Sequence, residues 1–410
     1  MMGKKAIWLL AGMFVFSTLT AAAAFPDKEK KAKVSPGIEV LMNKKSILKG
    51  KRVGLITNPT GVNSTLTSSI DLLHQAPGIE LTALYGPEHG VRGDAQAGDK
   101  VDSYIDEKTG LPVYSLYGDT RKPTPEMLKN VDVLLFDIQD VGTRFYTYIY
   151  TMAYAMEAAK ENDIPFIVLD RPNPQNGLKV EGPVLDPDYS SFVGMYPVPL
   201  SHGMTAGELA KLFNDEFNIG ADLTVIKMKG WKRQMFFEDT GLPFVLPSPN
   251  MPTPDTSIVY PGTGLIEGTN MSEGRGTTKP FELIGAPYMK STELAEKLNG
   301  LKLPGVRFRA ASFNPTFSKH QNKLCHGVEL YVTNRSAFKP VNTGIAIIKT
   351  VHDLYPDDFE FLPSGNFNRL IGNGWVKTMI EQGASIDEIA KKYEAEQKRF
   401  MNIRKKYLLY

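Results

Sequence analysis

Four apolar runs in the first half of the sequence each end in a polar segment punctuated by glycine or proline. These segments carry carboxylates, arginines, amides, a histidine and a tyrosine, which together make the inventory of a sugar-processing site. Cleavage of a glycosidic bond needs a carboxylic acid that protonates the departing oxygen and a second group that stabilises or attacks the cationic sugar. The candidates in these segments are Asn58, Glu88, His89, Arg92, Asp137, Asp140, Arg144, Tyr146, Arg171 and Asn173.

Glu88 is the first candidate for the acid. Its segment, GPEHGVRG, follows an apolar run that ends at Tyr85, and the glycines and proline around it would hold the carboxyl in one place. The alternative is that Glu88 only caps the following turn. The neighbouring His89 is either a hydrogen-bonding partner in the site or a structural histidine.

Asp137 and Asp140 flank the next segment, and either could be the second catalytic group. Each could instead hold the turn at Gly142 through backbone amides. Arg144 and Arg171 could bind a carboxylate of the substrate, because a planar guanidinium matches carboxylate geometry. The alternative for these arginines is an ion pair with a nearby aspartate.

A second constellation lies in the second half of the chain, in the segment EGTNMSEGRGTT at residues 267–278. Its candidate functional residues are Asn270, Glu273 and Arg275. A polar segment this rich in glycine is expected to be an exposed loop that closes over a cleft, and a plain surface loop is the alternative. His202, in PVPLSHGMTAGEL, is a further candidate for substrate binding.

The signatures of several other chemistries are missing. The sequence has no G-x-G-x-x-G after the first strand, no phosphate-binding P-loop, no H-E-x-x-H or paired C-x-x-C, and no G-x-S-x-G. We therefore expect no cofactor and no bound metal. The single cysteine, Cys325, cannot form an intramolecular disulfide. A net charge of +2 and the absence of a basic run interleaved with aromatics give no reason to expect nucleic acid binding.

The elements that must position these residues alternate in type along the first half. Apolar runs rich in Val, Ile, Leu and Phe predict buried parallel strands. Helical spacing predicts a helix at 147–162, and a capping box between Thr205 and Glu208 begins another. Ligands bind beyond the carboxyl ends of parallel strands, so we expect the four polar segments to converge. The predicted strands are residues 52–56, 80–85, 111–115, 131–137 and 165–170.

The second half of the chain mixes strands and helices. After a strand at 223–228, the proline-rich segment 242–256 predicts a stiff extended crossing, because prolines do not fit inside regular elements. This crossing would separate a parallel-sheet domain at 37–241 from a smaller α+β domain at 257–410. The predicted fold class of the whole chain is α/β. The elements predicted for the second domain are helices at 292–298, 341–354 and 386–407 and strands at 306–312 and 328–333.

The N-terminus has the three parts of a secretory signal peptide. Lys4 and Lys5 precede an apolar run at 6–16, and Ala22 to Ala24 form a cleavage site of small residues. We expect residues 1–24 to be removed and residues 25–36 to be a flexible, charged tether. A retained N-terminal anchor is the alternative, although the apolar run is too short to span a bilayer.

Several separated motifs in one order resemble a single family. They are GPEHGVRG, FDIQDVGTRFYTY, LDRPNP, PVPLSHGMTAGEL and GTNMSEGRGT. Together they look like the exo-β-N-acetylmuramidases of the NamZ type, glycoside hydrolase family 171, formerly a domain of unknown function. The similarity extends from about residue 37 to the C-terminus.

The resemblance implies a Rossmann-like domain, a smaller second domain and an active-site cleft between them. It also implies that the enzyme releases terminal N-acetylmuramic acid (MurNAc) from the non-reducing end of peptidoglycan fragments during cell-wall turnover and recycling. MurNAc-GlcNAc, where GlcNAc is N-acetylglucosamine, is such a fragment. The resemblance also implies that the family's proposed acid corresponds to Glu88. Muramic acid carries a lactyl carboxylate, which makes Arg144, Arg171 or Arg275 a sensible partner.

The sequence therefore predicts a secreted, wall-associated glycosidase that acts on muroglycans, without stable membrane insertion after cleavage of the signal. Glu88 would be the general acid, with Asp137, Asp140 or Glu273 as the second participant. The 2-acetamido group of the sugar could instead act as the nucleophile. Two other classes of protein remain as alternatives: a wall-directed esterase or amidase, and a glycan-binding protein without activity.

Overall fold

A computed structural model of the chain describes residues 33–93 and 102–410. The predicted signal peptide, and most of the predicted tether, lie outside the described residues. The end of the tether segment is held by the folded protein. Val34 is buried, and the backbone amides of Lys33 and Val34 donate hydrogen bonds to the carbonyl of Thr240. A flexible tether would therefore end before Lys33.

Twelve strands are present in the described residues. They are β1 (Arg52–Thr57), β2 (Glu80–Gly86), β3 (Tyr104–Ile105), β4 (Pro112–Ser115), β5 (Val133–Asp137), β6 (Phe166–Leu169), β7 (Glu181–Val184), β8 (Pro199–Ser201), β9 (Leu223–Ile226), β10 (Leu283–Ala286), β11 (Val306–Phe313) and β12 (Cys325–Val332).

Eleven α-helices accompany these strands in the described residues. They are α1 (Gly37–Met42), α2 (Ser69–His74), α3 (Pro125–Leu128), α4 (Tyr148–Glu161), α5 (Ala206–Glu216), α6 (Pro254–Thr263), α7 (Ser291–Gly300), α8 (Pro340–Leu354), α9 (Asn366–Ile371), α10 (Trp375–Glu381) and α11 (Ile386–Arg404).

The central sheet has seven strands in the order β3-β4-β2-β1-β5-β6-β9, and all neighbours are parallel except β3 and β4. Successive residues of a strand point to opposite faces, so each strand supplies both faces of the core. In β5, Leu134 and Phe136 pack on one side, whereas Val133 and Leu135 pack on the other. The predicted α/β class is confirmed.

Three further strands form an antiparallel sheet in the order β10-β12-β11, with α7 packed against it. Helices α6 and α8 cross at close range. A Cβ at Gly262 would lie only 1.9 Å from the carbonyl oxygen of Pro340, so only glycine fits at this crossing. The hairpin of β7 and β8 packs against α11. An isolated bridge between Thr143 and Ser201 joins this hairpin to the loop after β5, so α11 is connected through the hairpin to the carboxyl end of that strand.

Most predicted elements are confirmed to within a few residues. The Thr205 and Glu208 capping box begins α5, and α11 spans nearly all of the predicted helix at 386–407 before a short 3-10 helix, Lys405–Tyr407. The proline-rich crossing at 242–256 ends sooner than predicted, because α6 begins at Pro254. Proline is compatible with the first helical position, where its missing N–H would have no partner in the helix.

Candidate functional site

The loop after β2 places Glu88 at the carboxyl edge of the sheet. The chain reverses immediately after the strand, and a Cβ at Gly86 would come within 3.2 Å of the backbone nitrogen of Val91. Gly90 N donates a hydrogen bond to Pro87 O, and His89 adopts a positive φ of 72° within this turn. Glu88 accepts a hydrogen bond of 3.1 Å from Thr147 Oγ1, just before α4. The loop after β2 and the start of α4 therefore hold the carboxyl.

Glu88 lines a cavity of about 420 Å³. The other lining residues come from loops and helices of both halves of the chain. They are His89, Tyr117, Arg121, Phe145, Tyr146, Thr147, Tyr148, Ser191, Phe192, Val193, Ser248, Met251, Tyr260, Glu267, Arg275, Phe281, Asn366, Arg369 and Leu370. A cavity of this size, with aromatic walls and a few charged groups, is typical of a small-ligand site.

Edge-to-face aromatic contacts form part of the wall of the cavity. The ring of Tyr260 lies 4.6 Å from that of Phe281 and 5.8 Å from that of Tyr146, measured between centroids. Tyr146 in turn contacts Tyr148 at 5.0 Å. Burial raises the pKa of all three tyrosines, so their hydroxyls stay neutral. The Tyr148 hydroxyl donates to Pro247 O, whereas those of Tyr146 and Tyr260 can donate to a ligand.

Tyr117 supplies a further hydroxyl group close to Glu88. Burial and the nearby carboxylate of Glu88 raise the pKa of Tyr117 to about 12. The phenol therefore remains protonated at neutral pH, and it can donate a hydrogen bond to Glu88 or to an oxygen of a ligand.

Four charged residues from the second half of the chain form a partly buried network beside the cavity, and two of them, Glu267 and Arg275, line it. Glu267 lies in a 3-10 helix, Gly264–Gly268, directly after α6. Arg275 Nη2 lies 3.3 Å from Glu267, and Arg275 Nε lies 3.3 Å from Glu273. Lys319 Nζ lies 2.9 Å from Glu273. Burial raises the pKa of Glu267 above its ordinary value, and the charge of Arg275 opposes this rise only in part. The two acids and two bases balance one another.

Two exposed arginines at the cavity are not part of this network. Arg121 lies over the ring of Phe192, with 4.0 Å between the guanidinium carbon and the ring centroid. Arg369 donates a hydrogen bond to Ser364 O. Within residues 33–93 and 102–410, neither arginine forms an ion pair with a carboxylate. Both can therefore receive an anionic group of a ligand.

The structure brings four of the sequence candidates to the cavity, and they are Glu88, His89, Tyr146 and Arg275. Glu273 lies behind Arg275 and is only 2% exposed. Asn58 is also buried, and its Oδ1 accepts hydrogen bonds from Thr60 N and Thr60 Oγ1, which holds the turn after β1.

Asp137 and Arg171 bind each other. Arg171 Nε and Nη2 lie 2.6 and 2.9 Å from the two carboxylate oxygens, and Ser69 Oγ donates a further hydrogen bond to Asp137. Both side chains are almost completely buried and neither lines the cavity. The structure thus contains the ion pair that was the alternative prediction for Arg171. Neither residue is placed to act on a ligand in the cavity.

Asp140 and Arg144 also serve the interior. Asp140 Oδ2 accepts a hydrogen bond from Gly142 N and lies 3.6 Å from His202 Nε2. Arg144 is fully buried and donates to the carbonyls of Pro183, Val198 and Leu370. Arg144 thus joins separate loops through backbone carbonyls, which differs from both the predicted contact with a ligand and the ion-pair alternative.

The remaining candidates stabilise local structure. Arg92 forms a two-pronged ion pair with Asp106, at 2.8 and 3.0 Å. Asn173 Nδ2 donates to Met204 O, and Asn270 Nδ2 donates to Asp358 O. None of these side chains lines the cavity.

The segment 267–278 is not the exposed loop that the sequence predicts. Thr269, Ser272 and Glu273 are buried, because the neighbouring glycines allow the backbone to pack closely. A Cβ at Gly268 would lie 2.4 Å from Phe367 Cα, and one at Gly274 would lie 2.5 Å from Leu283 O. Glycine density here reflects close packing rather than a mobile surface.

Sequence reasoning missed several residues of the cavity, and they are Tyr117, Arg121, Tyr148, Phe192, Tyr260, Glu267 and Arg369. Glu267 opens the segment that contains Glu273 and Arg275, so its carboxyl was within the recognised motif. Tyr148 likewise ends the motif FDIQDVGTRFYTY, whereas the others lie in helices or connections outside the recognised motifs. Their shared position depends on tertiary contacts that no local pattern reveals.

The fold and the site together define a class of protein. The features that define it are the α/β fold, two glutamates at an aromatic-walled cavity, neutral tyrosines and arginines. It is that of a glycoside hydrolase, in which carboxyl groups act on a sugar held by aromatic and polar side chains.

Comparison with known proteins identifies the family within this class. A family model described as the N-terminal part of exo-β-N-acetylmuramidase NamZ matches residues 53–255, and the C-terminal counterpart matches residues 258–410. The chain is 69% identical over 414 residues to the peptidoglycan β-N-acetylmuramidase NamZ of Bacillus subtilis strain 168, covering all of both chains. The chain belongs to the exo-β-N-acetylmuramidase NamZ family.

Two solved structures have the same fold, and both are DUF1343 family proteins from Bacteroides fragilis NCTC 9343. The first is 43% identical with a TM-score of 0.86, covering 93% of this chain and 100% of that chain. The second is 36% identical with a TM-score of 0.76, covering 92% and 99%. In the part of this chain that the structure describes, no helix has the length and apolar character needed to cross a membrane.

Proposed function

We propose that this protein is a secreted exo-β-N-acetylmuramidase that removes terminal MurNAc from the non-reducing end of peptidoglycan fragments. The observation that carries the proposal is the position of Glu88. It lies at an aromatic-walled cavity whose exposed arginines have no carboxylate partner among the described residues. The peptidoglycan β-N-acetylmuramidase of Bacillus subtilis, 69% identical to this chain, supports the same substrate class.

Glu88 is the general acid in this proposal. Its carboxyl is held by Thr147 and adjoins Tyr117, so it has a defined orientation at the cavity surface. The acid protonates the glycosidic oxygen as the bond to the anomeric carbon breaks, which makes the departing sugar a neutral alcohol.

The dimensions of the cavity support action at a chain end. A volume of about 420 Å³ is near the lower end of the usual range for small-ligand sites, roughly 300 to 1,000 Å³. It suits one terminal sugar and part of the next rather than several residues of a long glycan.

The charges support a substrate that carries a carboxylate. Glu267 and Glu273 already balance Arg275 and Lys319, so this network offers no net positive charge. Arg369 and Arg121 have no such acidic partner in the described chain, and either can bind the lactyl group of MurNAc. GlcNAc lacks that carboxylate, so this contact would distinguish the two sugars.

The proposal of secretion depends on the N-terminal sequence and on the location of the substrate. Residues 1–24 have the three parts of a signal peptide, and peptidoglycan lies outside the cytoplasm. A role in turnover and recycling of the wall follows if the enzyme meets its fragments there. Fractionation of cells with and without residues 1–24 would test this part separately, since activity confined to the cytoplasm in both would contradict it.

The activity is tested by incubating the purified mature chain with MurNAc-GlcNAc and measuring free MurNAc. We expect release by the parent and a loss of at least about 100-fold in Glu88→Gln, which keeps the shape of the side chain but cannot donate the proton. Glu80→Gln is the control, because Glu80 is exposed at the opposite end of the same strand and should retain activity. No release by the parent would contradict the proposed function.

A further inference from the structure

Two carboxylate residues, Glu88 and Glu267, line the cavity among the described residues. They are contributed by opposite halves of the chain, one after β2 and the other directly after α6. The carboxylates of both raise the pKa of Tyr260, which places the phenol within electrostatic reach of each. The two acids therefore share one ligand space, whereas Asp137, Asp140 and Glu273 do not line it.

Glu267 lies beside a fixed cation. Arg275 Nη2 lies 3.3 Å from Glu267, and the guanidinium carbon lies 5.1 Å from the ring centroid of Phe281. Glu273 anchors Arg275 from behind through Nε, at 3.3 Å. The Glu267 side chain retains 27% exposure, and the cavity is the space that it adjoins. An acid placed in this way can face a ligand without losing its cationic partner.

We infer that Glu267 is the second catalytic carboxylate, the anion that opposes the positive charge developing at the anomeric carbon while Glu88 protonates the leaving oxygen. This inference depends on the proposed function, because it assigns a role within the same reaction. Arg275 is a positioning residue, since it acts on the sugar through Glu267.

The reaction balances with these two groups and one water molecule. The bond between the anomeric carbon and the glycosidic oxygen breaks, its electron pair stays on that oxygen, and the proton of Glu88 completes the departing hydroxyl. Water supplies the oxygen that bonds to the anomeric carbon. Over the full cycle, the proton that this water loses restores the acid form of Glu88. No oxidant or cofactor is consumed.

The roles of the two glutamates are distinguished by the leaving group. A leaving group that needs no protonation removes the need for an acid, but it does not remove the need to stabilise the cationic sugar. The test uses MurNAc-GlcNAc and 4-methylumbelliferyl β-N-acetylmuraminide, which carries an activated phenol. We expect Glu88→Gln to lose at least about 100-fold on the disaccharide but only about tenfold on the aryl substrate. Glu267→Gln should lose at least about 100-fold on both.

Glu273→Gln is the matched control. It also removes a carboxylate that contacts Arg275, but that carboxylate lies off the cavity surface. We expect a lower melting temperature and a kcat within about tenfold of the parent on both substrates. A loss in Glu273→Gln equal to that in Glu267→Gln would show that activity does not depend specifically on the carboxylate that lines the cavity, and it would overturn the inference.

Azide provides a measurement that a merely structural residue would not affect. In Glu267→Ala the missing side chain leaves space for the small anion, which can attack the anomeric carbon as the aryl group leaves. We expect azide to accelerate consumption of the aryl substrate at least about tenfold and to yield MurNAc azide, identified by mass. The Glu273→Ala variant should form no MurNAc azide. Calorimetric binding of MurNAc to Glu267→Ala establishes that its cavity is intact.

Different results would contradict the proposed function and the role of Glu267. A parent that releases MurNAc from neither substrate contradicts the proposed function. An active parent with Glu267→Gln within threefold of it contradicts only the role of Glu267, as does a MurNAc-binding Glu267→Ala that azide does not accelerate. A Glu267→Gln variant impaired on the disaccharide but not on the aryl substrate would make Glu267 the acid instead, which also overturns the inference.

Discussion

Arg171 holds both carboxylate oxygens of Asp137 at the carboxyl end of β5, with distances of 2.6 and 2.9 Å. Each side chain is at most 5% exposed, and Arg171 Nη2 also donates to Val62 O in the loop after β1. The pair therefore joins the ends of three neighbouring strands. It supports the edge of the sheet from which the Glu88 loop extends, although neither residue lines the cavity.

Replacing Asp137 with Asn should destabilise the fold. The substitution leaves the buried guanidinium of Arg171 without a counter-charge, which typically costs about 3 to 5 kcal/mol. Urea unfolding of the purified variant measures this loss. Asp132→Asn is the control, because Asp132 pairs with Arg52 at an exposed position and should lose much less. A variant as stable as the parent would show that the buried pair is dispensable.

Arg369→Met should weaken recognition of the lactyl carboxylate. The loss of a charge-assisted contact is worth about 1.5 to 3 kcal/mol, or roughly 10- to 100-fold in kcat/KM for MurNAc substrates. Hydrolysis of aryl β-glycosides of MurNAc and GlcNAc should show this loss for the MurNAc compound only. Arg307→Met removes an exposed charge elsewhere and serves as the control. Equal losses on both sugars would contradict a contact with the lactyl group.

Hydrolysis of the same two aryl glycosides by Arg121→Met shows which arginine binds the lactyl carboxylate of MurNAc. Arg121 lies 4.0 Å over the ring of Phe192, so its removal also alters an aromatic wall. We expect a change in KM for both sugars through the loss of this packing. A loss limited to the MurNAc compound would instead place the lactyl group at Arg121.

Glu181 should make stability depend on pH. Burial raises the pKa of Glu181 to about 7, against about 4.5 in an unfolded chain. The folded protein therefore retains a proton that the unfolded chain loses, and stability falls as pH rises from about 4.5 to about 7. The shift corresponds to about 3 kcal/mol.

Glu181→Gln removes this dependence. Relative to the parent, the variant should gain stability between pH 4.5 and pH 7.5, which urea unfolding at several pH values would show. Glu394→Gln, at an exposed position on α11, should follow the parent at every pH. Parallel pH profiles for the parent and Glu181→Gln would contradict the raised pKa.

Tyr410, the last residue of the chain, should contribute to stability through its hydroxyl. Tyr410 Oη donates to Asp170 Oδ2 at 2.7 Å and accepts from Met228 N at 2.8 Å. Tyr410→Phe leaves a buried carboxyl without one of its donors, which typically costs about 1 to 3 kcal/mol. Thermal unfolding measures the loss, with Tyr189→Phe at a partly exposed position as the control. An unchanged melting temperature would show that Asp170 is satisfied by its other partners.

Much of the architecture could be predicted because its causes are local. Apolar runs form the strands of the parallel sheet, and the capping box at Thr205 begins α5 where the sequence indicates. Glu88 could also be found from its surroundings. A carboxyl between glycines and a proline, directly after a buried strand, lies at the edge of the sheet in any fold of this class.

The tertiary structure decided which polar side chains face a ligand. Asp137 and Arg171 were equivalent to Glu88 as strand-end candidates, but they are oriented towards each other and are buried. Burial of the segment 267–278 depends in part on a close contact between Gly268 and Phe367, which lies far away in the sequence.

The sequence by itself determined the family motifs, the alternating elements and the glutamate after β2, since each depends on residues close together in the chain. Only the folded chain decided that Glu267 shares a cavity with Glu88 and that Arg369 lacks a carboxylate partner in the described residues. The physical reason is that ion pairing and burial are settled by neighbours in space. Asp137 and Arg171 are unavailable to a ligand because they neutralise each other in the interior, away from the cavity.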